Sequence, residues 1–164
     1  MAVLVITVAR DFGHLKEGKA FIALVVSGSF VILHPLVPPH WQNFAADVYT
    51  MAPSLFWLLC LVAFSHRPRL LSLSGALAMY TFTAKALSRN FSIDQDPLSQ
   101  WHFWGWVLPT YGEYFIIGLG LWIVIANWSD DLVESRRRLR GVMLMGVGTC
   151  VILVIVPITT GLVG

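Results

Sequence analysis

VLPTYGEYFIIGLGLWIVIANW, residues 107–128, carries a single charged side chain, Glu113, in an otherwise apolar run. A helix needs about 20 such residues, with a range of about 17–25, to cross the hydrocarbon of a bilayer. No water is available there, so the backbone must satisfy its own hydrogen bonds, and a helix does so within one segment. Working outward, four further runs have the same character: 20–37 (AFIALVVSGSFVILHPLV), 48–64 (VYTMAPSLFWLLCLVAF), 70–87 (LLSLSGALAMYTFTAKAL) and 141–163 (GVMLMGVGTCVILVIVPITTGLV). Residues 2–9 are apolar but too short to cross.

The whole chain agrees with these runs. Its 164 residues are 57% hydrophobic and 12% charged, against roughly 25% charged in a soluble domain. A barrel would need alternating segments of about ten residues, and the sequence has none. The expected fold is all-α: one polytopic transmembrane helix bundle over residues 1–164, with five full spans and a short N-terminal apolar helix. Cys60 and Cys150 both fall within apolar runs, where a thiol behaves as a small hydrophobe, so no disulfide is expected. The stretch MAVLVITVARD has no basic residues before its apolar part and no small-residue cleavage site after it, which makes a poor signal peptide.

Lys and Arg in the connections set orientation. Arg10, Lys16 and Lys19 precede the first full span, Arg67 and Arg69 follow the second, and Arg136, Arg137, Arg138 and Arg140 follow the fourth. The alternate connections hold only Arg89, with Lys85 just inside a span. Residues 10–19, 65–69 and 129–140 are therefore expected in the cytoplasm of a bacterial inner membrane, with the aromatic stretches around Trp41 and Trp101 outside. Five spans that begin inside end outside, which would strand Gly164 there. On this count the stub at 2–9 reads as the end of an earlier helix, and both ends of the chain read as cut.

The charge is concentrated in SDDLVESRRRLR, residues 129–140. Asp130, Asp131 and Glu134 precede Arg136, Arg137, Arg138 and Arg140, an order that complements a helix macrodipole. A short surface helix is expected, with its arginines held by anionic lipid headgroups at about 1 kcal/mol each. Four arginines against a membrane lack a recognition element for nucleic acid, so the chain is expected to bind none.

This block resembles the D-L-V-E-x-R-R-x-L-R stretch in the membrane-embedded N-terminal region of certain AraC-type bacterial transcriptional regulators. The order of other elements is similar: a stub ending in ARD, a span closing in HPLVPPHW, the APSLFWLLCLVAF span followed by a basic turn, then ALSRNFSI. Ser135 stands where that pattern has Pro. The resemblance implies a seven-helix sensor whose cytoplasmic DNA-binding part is not in this chain, and a function in signal sensing rather than catalysis. A small transporter or channel subunit is the alternative.

Ionisable residues inside spans are costly and mark functional candidates. Lys85 and Glu113 each lie fifteen residues from the cytoplasmic end of their spans, or about 22 Å at 1.5 Å per residue. Equal depths on adjacent antiparallel helices allow the two to pair; otherwise Lys85 snorkels outward along its stem and Glu113 meets water near the interface. Around them lie Tyr80, Trp101, His102, Trp104, Trp106, Tyr111 and Tyr114. These form either an interfacial aromatic belt or a small ligand pocket of Lys85, Glu113, Tyr80, Tyr114, His102 and Trp104, with Pro109 loosening the helix beside it. Pro157 would loosen the last span in the same way.

No two histidines fall at i, i+3 or i, i+4, so a zinc site finds no local support. His34 and His102 share an outer depth, the minimum for axial haem ligands, while His14 and His66 fall in cytoplasmic loops. No metal or cofactor is expected. Ser27, Gly28, Ser29, Gly118, Gly120, Gly146 and Gly148 suggest close helix packing. The expected partners are the bilayer, anionic headgroups and an unidentified small ligand, and a homodimer is allowed.

Overall fold

A computed structural model describes residues 10, 16–64, 73–91 and 100–126. The stub 2–9, the basic turn 65–69, the charged segment 129–140 and the expected span 141–163 lie outside the described residues. The chain divides into two units, residues 1–123 and 124–164. The first holds nearly all of the described residues; of the second, only the last residues of one helix are described.

The described residues are helical throughout their main elements. They form α1 (Lys16–Leu33), α2 (Gln42–Thr50), α3 (Ala52–Phe64), α4 (Leu73–Asn90), the short α5 (Gln100–His102) and α6 (Leu108–Ala126). Two single 3-10 turns, His34–Leu36 and Pro39–Trp41, join α1 to α2, and a π-helical turn, Phe103–Val107, joins α5 to α6. Three helical stretches are long and apolar enough to cross a membrane: Lys16–Leu36, Pro39–Phe64 and Gln100–Ala126, of 21, 26 and 27 residues.

The expectation of five full spans is therefore corrected to three among the described residues. The run expected at 70–87 is described from Leu73 on, as α4, and this described helix, which carries Lys85 and ends in Ser88, Arg89 and Asn90, is not among the three. Another correction concerns residues 38–47, expected as a loop, which are mostly helical. Pro39 sits in the first turn of its 3-10 helix, where a missing N–H costs nothing. Pro53 falls in the first turn of α3, so the rod is interrupted at Met51 and resumes with Leu55 N–H donating to the Met51 carbonyl at 2.9 Å.

Helix α3 is apolar around its whole circumference, the pattern of a central helix. Phe56, Trp57, Leu59, Cys60, Leu61 and Phe64 are all buried. On one side α1 packs against it, and Ser27 on α1 donates to the Val48 carbonyl of α2 at 2.7 Å. On the other side Trp57 and Leu61 meet Ala78 of α4 and Ile116 of α6, with Leu58, Leu77, Leu119 and Ile123 around them. Lipid tails are as apolar as these side chains, so close fit rather than water exclusion holds the contact together.

The fit between α4 and α6 can be read from two glycines. A Cβ on Gly112 would come within 2.6 Å of Thr81 Cγ2, and one on Gly105 would overlap Ser88 Oγ and approach Ser88 Cβ to 3.1 Å. As numbers rise on one helix they fall on the other, so the helices are antiparallel. Gly105/Gly112 and Thr81/Ser88 each repeat every seven residues, the spacing of a coiled-coil seam. Gly120 meets Phe56 in the same way, whereas nothing lies within 4 Å of a Cβ on Gly28 or Gly118. Close packing thus falls at Gly105, Gly112 and Gly120 rather than at Gly28 and Gly118. Gly105→Ala is expected to destabilise the protein by about 1–3 kcal/mol through overpacking, measured as a lower Tm in detergent. Ser88→Ala in the same chain should recover much of the loss.

Candidate functional site: a buried ion pair beside a π-helical turn

Where α4 and α6 pack, the structure brings Lys85 and Glu113 together. Lys85 Nζ donates to Glu113 Oε2 at 2.6 Å, with side-chain exposures of 10% and 16%. Snorkelling of Lys85 is excluded by that burial. The ammonium also lies 6.0 Å from the centroid of the Trp106 ring, within reach of a cation–π attraction. Glu113 Oε1 is buried and accepts no hydrogen bond among the described residues. An ionised carboxylate with half its acceptor capacity unused is a costly arrangement in a low-dielectric interior.

The π-helical turn beside the pair follows from Pro109. Proline has no N–H to give to the Gly105 carbonyl, and the ladder shifts by one residue, with Leu108 N–H donating to the Phe103 carbonyl. The Trp104 carbonyl then has no backbone donor, since Leu108 is used and the next residue is Pro109 itself. Tyr80 on α4 supplies the replacement, its hydroxyl donating to Trp104 O at 3.0 Å. Thr110 adds a second side-chain bond, from its Oγ1 to Trp106 O at 2.7 Å. Such π turns occur frequently at functional sites.

The remaining residues of the expected pocket are placed less tightly. Tyr114 and Trp104 are exposed, with Trp104 edge-on to Phe103 at 5.7 Å between centroids. His102 is half-buried at the end of α5. Trp101 and Tyr111 are also exposed, as an interfacial belt would be. His34 lies edge-on to Tyr49 at 5.6 Å. Among the described residues, no three of His, Cys, Asp and Glu gather as a metal site would require.

A second charged cluster is not among the sequence expectations. Arg89, one helical turn beyond Lys85, is paired through Nη1 with Asp47 Oδ1 of α2, and its Nη2 donates to Thr50 Oγ1 at 3.1 Å. Asp47 Oδ2 accepts from Asn90 Nδ2 at 3.1 Å, and the Thr50 hydroxyl donates to the Ala46 carbonyl at 2.7 Å. Unlike Glu113, Asp47 has both oxygens engaged. A signal for it is present in the sequence: Asp47 and Arg89 fall on connections assigned to the same side of the membrane.

Comparison of the chain with protein-family models, with curated proteins and with solved structures finds no match. The chemistry of the site is therefore the guide to its role.

Proposed function

We propose that this protein is a membrane-embedded signal-sensing domain, in which a change at the Lys85–Glu113 pair alters how α4 and α6 pack. The observation that carries this reading is the unpartnered Glu113 Oε1, next to a π-helical turn that is held by one tyrosine hydroxyl. A buried acceptor in want of a donor gives a ligand a differential interaction with two packings, which any shift of population requires. The resemblance of residues 130–140 to AraC-type membrane regulators points to the same class, with the bacterial inner membrane as its location and residues 10–19, 65–69 and 129–140 on the cytoplasmic side.

Spin labels at Met79 and Phe115, on α4 and α6, test it. In liposomes the distance distribution should shift or become bimodal when Glu113 is changed to Gln or Tyr80 to Phe. An unchanged single distribution in both variants would count against a sensor.

The same oxygen favours a second reading, a transporter or channel subunit, because buried carboxylates also mark proton and ion pathways. Ion flux through proteoliposomes that disappears in Glu113→Gln would select this reading.

A further inference from the structure

Glu113 is half engaged. Lys85 Nζ donates to its Oε2 at 2.6 Å, while Oε1 is buried beyond the reach of a water molecule and has no hydrogen-bond partner among the described residues. Any ligand with heavy atoms needs α4 and α6 to part before it can bond that oxygen, whereas a proton needs no room. Asp47 gives the contrast within the same chain, with one oxygen bonded to Arg89 and the other to Asn90. Of these two ion-paired carboxylates, Glu113 is the one with an acceptor to spare.

What a proton does there follows from its neighbours. From α4, Lys85 touches Glu113, and Arg89 one turn beyond is close enough to act on its charge, although Asp47 of α2 neutralises that guanidinium. Tyr80 of α4 is bonded to the Trp104 carbonyl. Helix α3 brings no charged side chain, its one titratable group being the buried thiol of Cys60. The short α5 ends in His102, and Tyr111 and Tyr114 flank Glu113 on α6 itself. Protonation of Glu113 would therefore leave the Lys85 ammonium, with its side chain 10% exposed, beside the Trp106 ring and without a counter-charge. An uncompensated buried charge is strongly unfavourable, so close packing of α4 on α6 binds this proton more weakly than a packing in which Lys85 meets water.

We propose that the signal read at this site is the proton itself: acid converts the Lys85–Glu113 ion pair into a neutral carboxylic acid and a lone ammonium, and shifts α4 and α6 to a looser packing in which that ammonium is hydrated. The proton comes from water, forms one O–H bond on Glu113 and releases no other group. Unequal proton affinity in the two packings is what moves the population. The pair holds the helices together at neutral pH, and its hold is lost as pH falls through the titration of Glu113. This inference rests on the sensing reading and names its ligand.

The full chain in liposomes, spin-labelled at Met79 and Phe115, tests it between about pH 8 and about pH 4. On acidification the distances should move towards those that Glu113→Gln shows at every pH, the ratio of the two populations changing by up to about tenfold per pH unit, the limit for one proton. In infrared difference spectra the C=O stretch of a protonated carboxyl should grow in step, and Glu113→Gln should remove it. Lys85→Met should reverse the response, because acid then relieves a lone buried carboxylate and tightens the helices. His34→Gln and His102→Gln should leave the response in place. If acid moves neither the distances nor the infrared band of the unaltered chain while Glu113→Gln still shifts the distances, the proton is not the signal and the sensing reading stands; if Glu113→Gln is also silent, both fall. A pH response that persists in Glu113→Gln, or one of unchanged direction in Lys85→Met, would overturn the proposal. The infrared band, read on the unaltered chain, decides even where Lys85→Met does not fold.

Discussion

Lys85→Met is expected to destabilise the protein by about 3–5 kcal/mol, the usual cost of removing one member of a buried ion pair. The loss comes less from the missing attraction than from what is left behind. Glu113 already has one oxygen without a partner among the described residues; without Lys85 it has two, on a side chain that is largely buried. Lys85→Met combined with Glu113→Leu should recover most of the loss, since replacing both charges by apolar groups removes the desolvation cost as well. Reversible unfolding in mixed micelles measures both. A single variant that costs under about 1 kcal/mol, or a double variant that merely adds the two losses, would show that the pair behaves as an exposed surface bridge.

Asp47→Leu should have an effect of similar size, about 3–5 kcal/mol, by a different route. Asp47 accepts from both Arg89 and Asn90, so its removal leaves Arg89 with Thr50 alone and frees the end of α4 from α2. Arg89→Leu should cost a comparable amount, and the double variant less than the sum, with a coupling of about 0.5–3 kcal/mol. Because Lys85 and Arg89 lie on successive turns of one helix, Asp47→Leu and Lys85→Met should also be non-additive. Full additivity across those two would mean that the two ion pairs hold α4 independently.

Features that depend on composition and residue spacing are legible in the sequence. The apolar runs at 20–37, 48–64 and 107–128 correspond to Lys16–Leu36, Pro39–Phe64 and Gln100–Ala126 because transfer out of water depends on composition. Lys85 and Glu113 stand out by their equal depth, a quantity that helical rise converts straight from residue number. Asp47 does not stand out, because Pro38, Pro39 and a charge together resemble a loop, whereas here the prolines open a helix and the charge is neutralised by Arg89. The polar side chains of α4 turn towards neighbouring helices, Lys85 to Glu113 of α6 and Arg89 to Asp47 of α2. The π turn is only half legible in local sequence: Pro109 announces a break in the ladder, but the donor that satisfies the freed Trp104 carbonyl is Tyr80, twenty-four residues away.

That turn stores one residue more than an α-helix needs. Were Phe103–Val107 to return to regular geometry, the segment before it would rotate by about 100° about the axis relative to Glu113, the angle of a single residue in a 3.6-residue turn. Trp101 and Phe103 would sweep to a new face of the helix, and the Trp104 carbonyl would swing off the Tyr80 hydroxyl. A proline and one phenolic proton thus accompany a single register of this helix, and the face that the aromatic collar presents is set by that one extra residue.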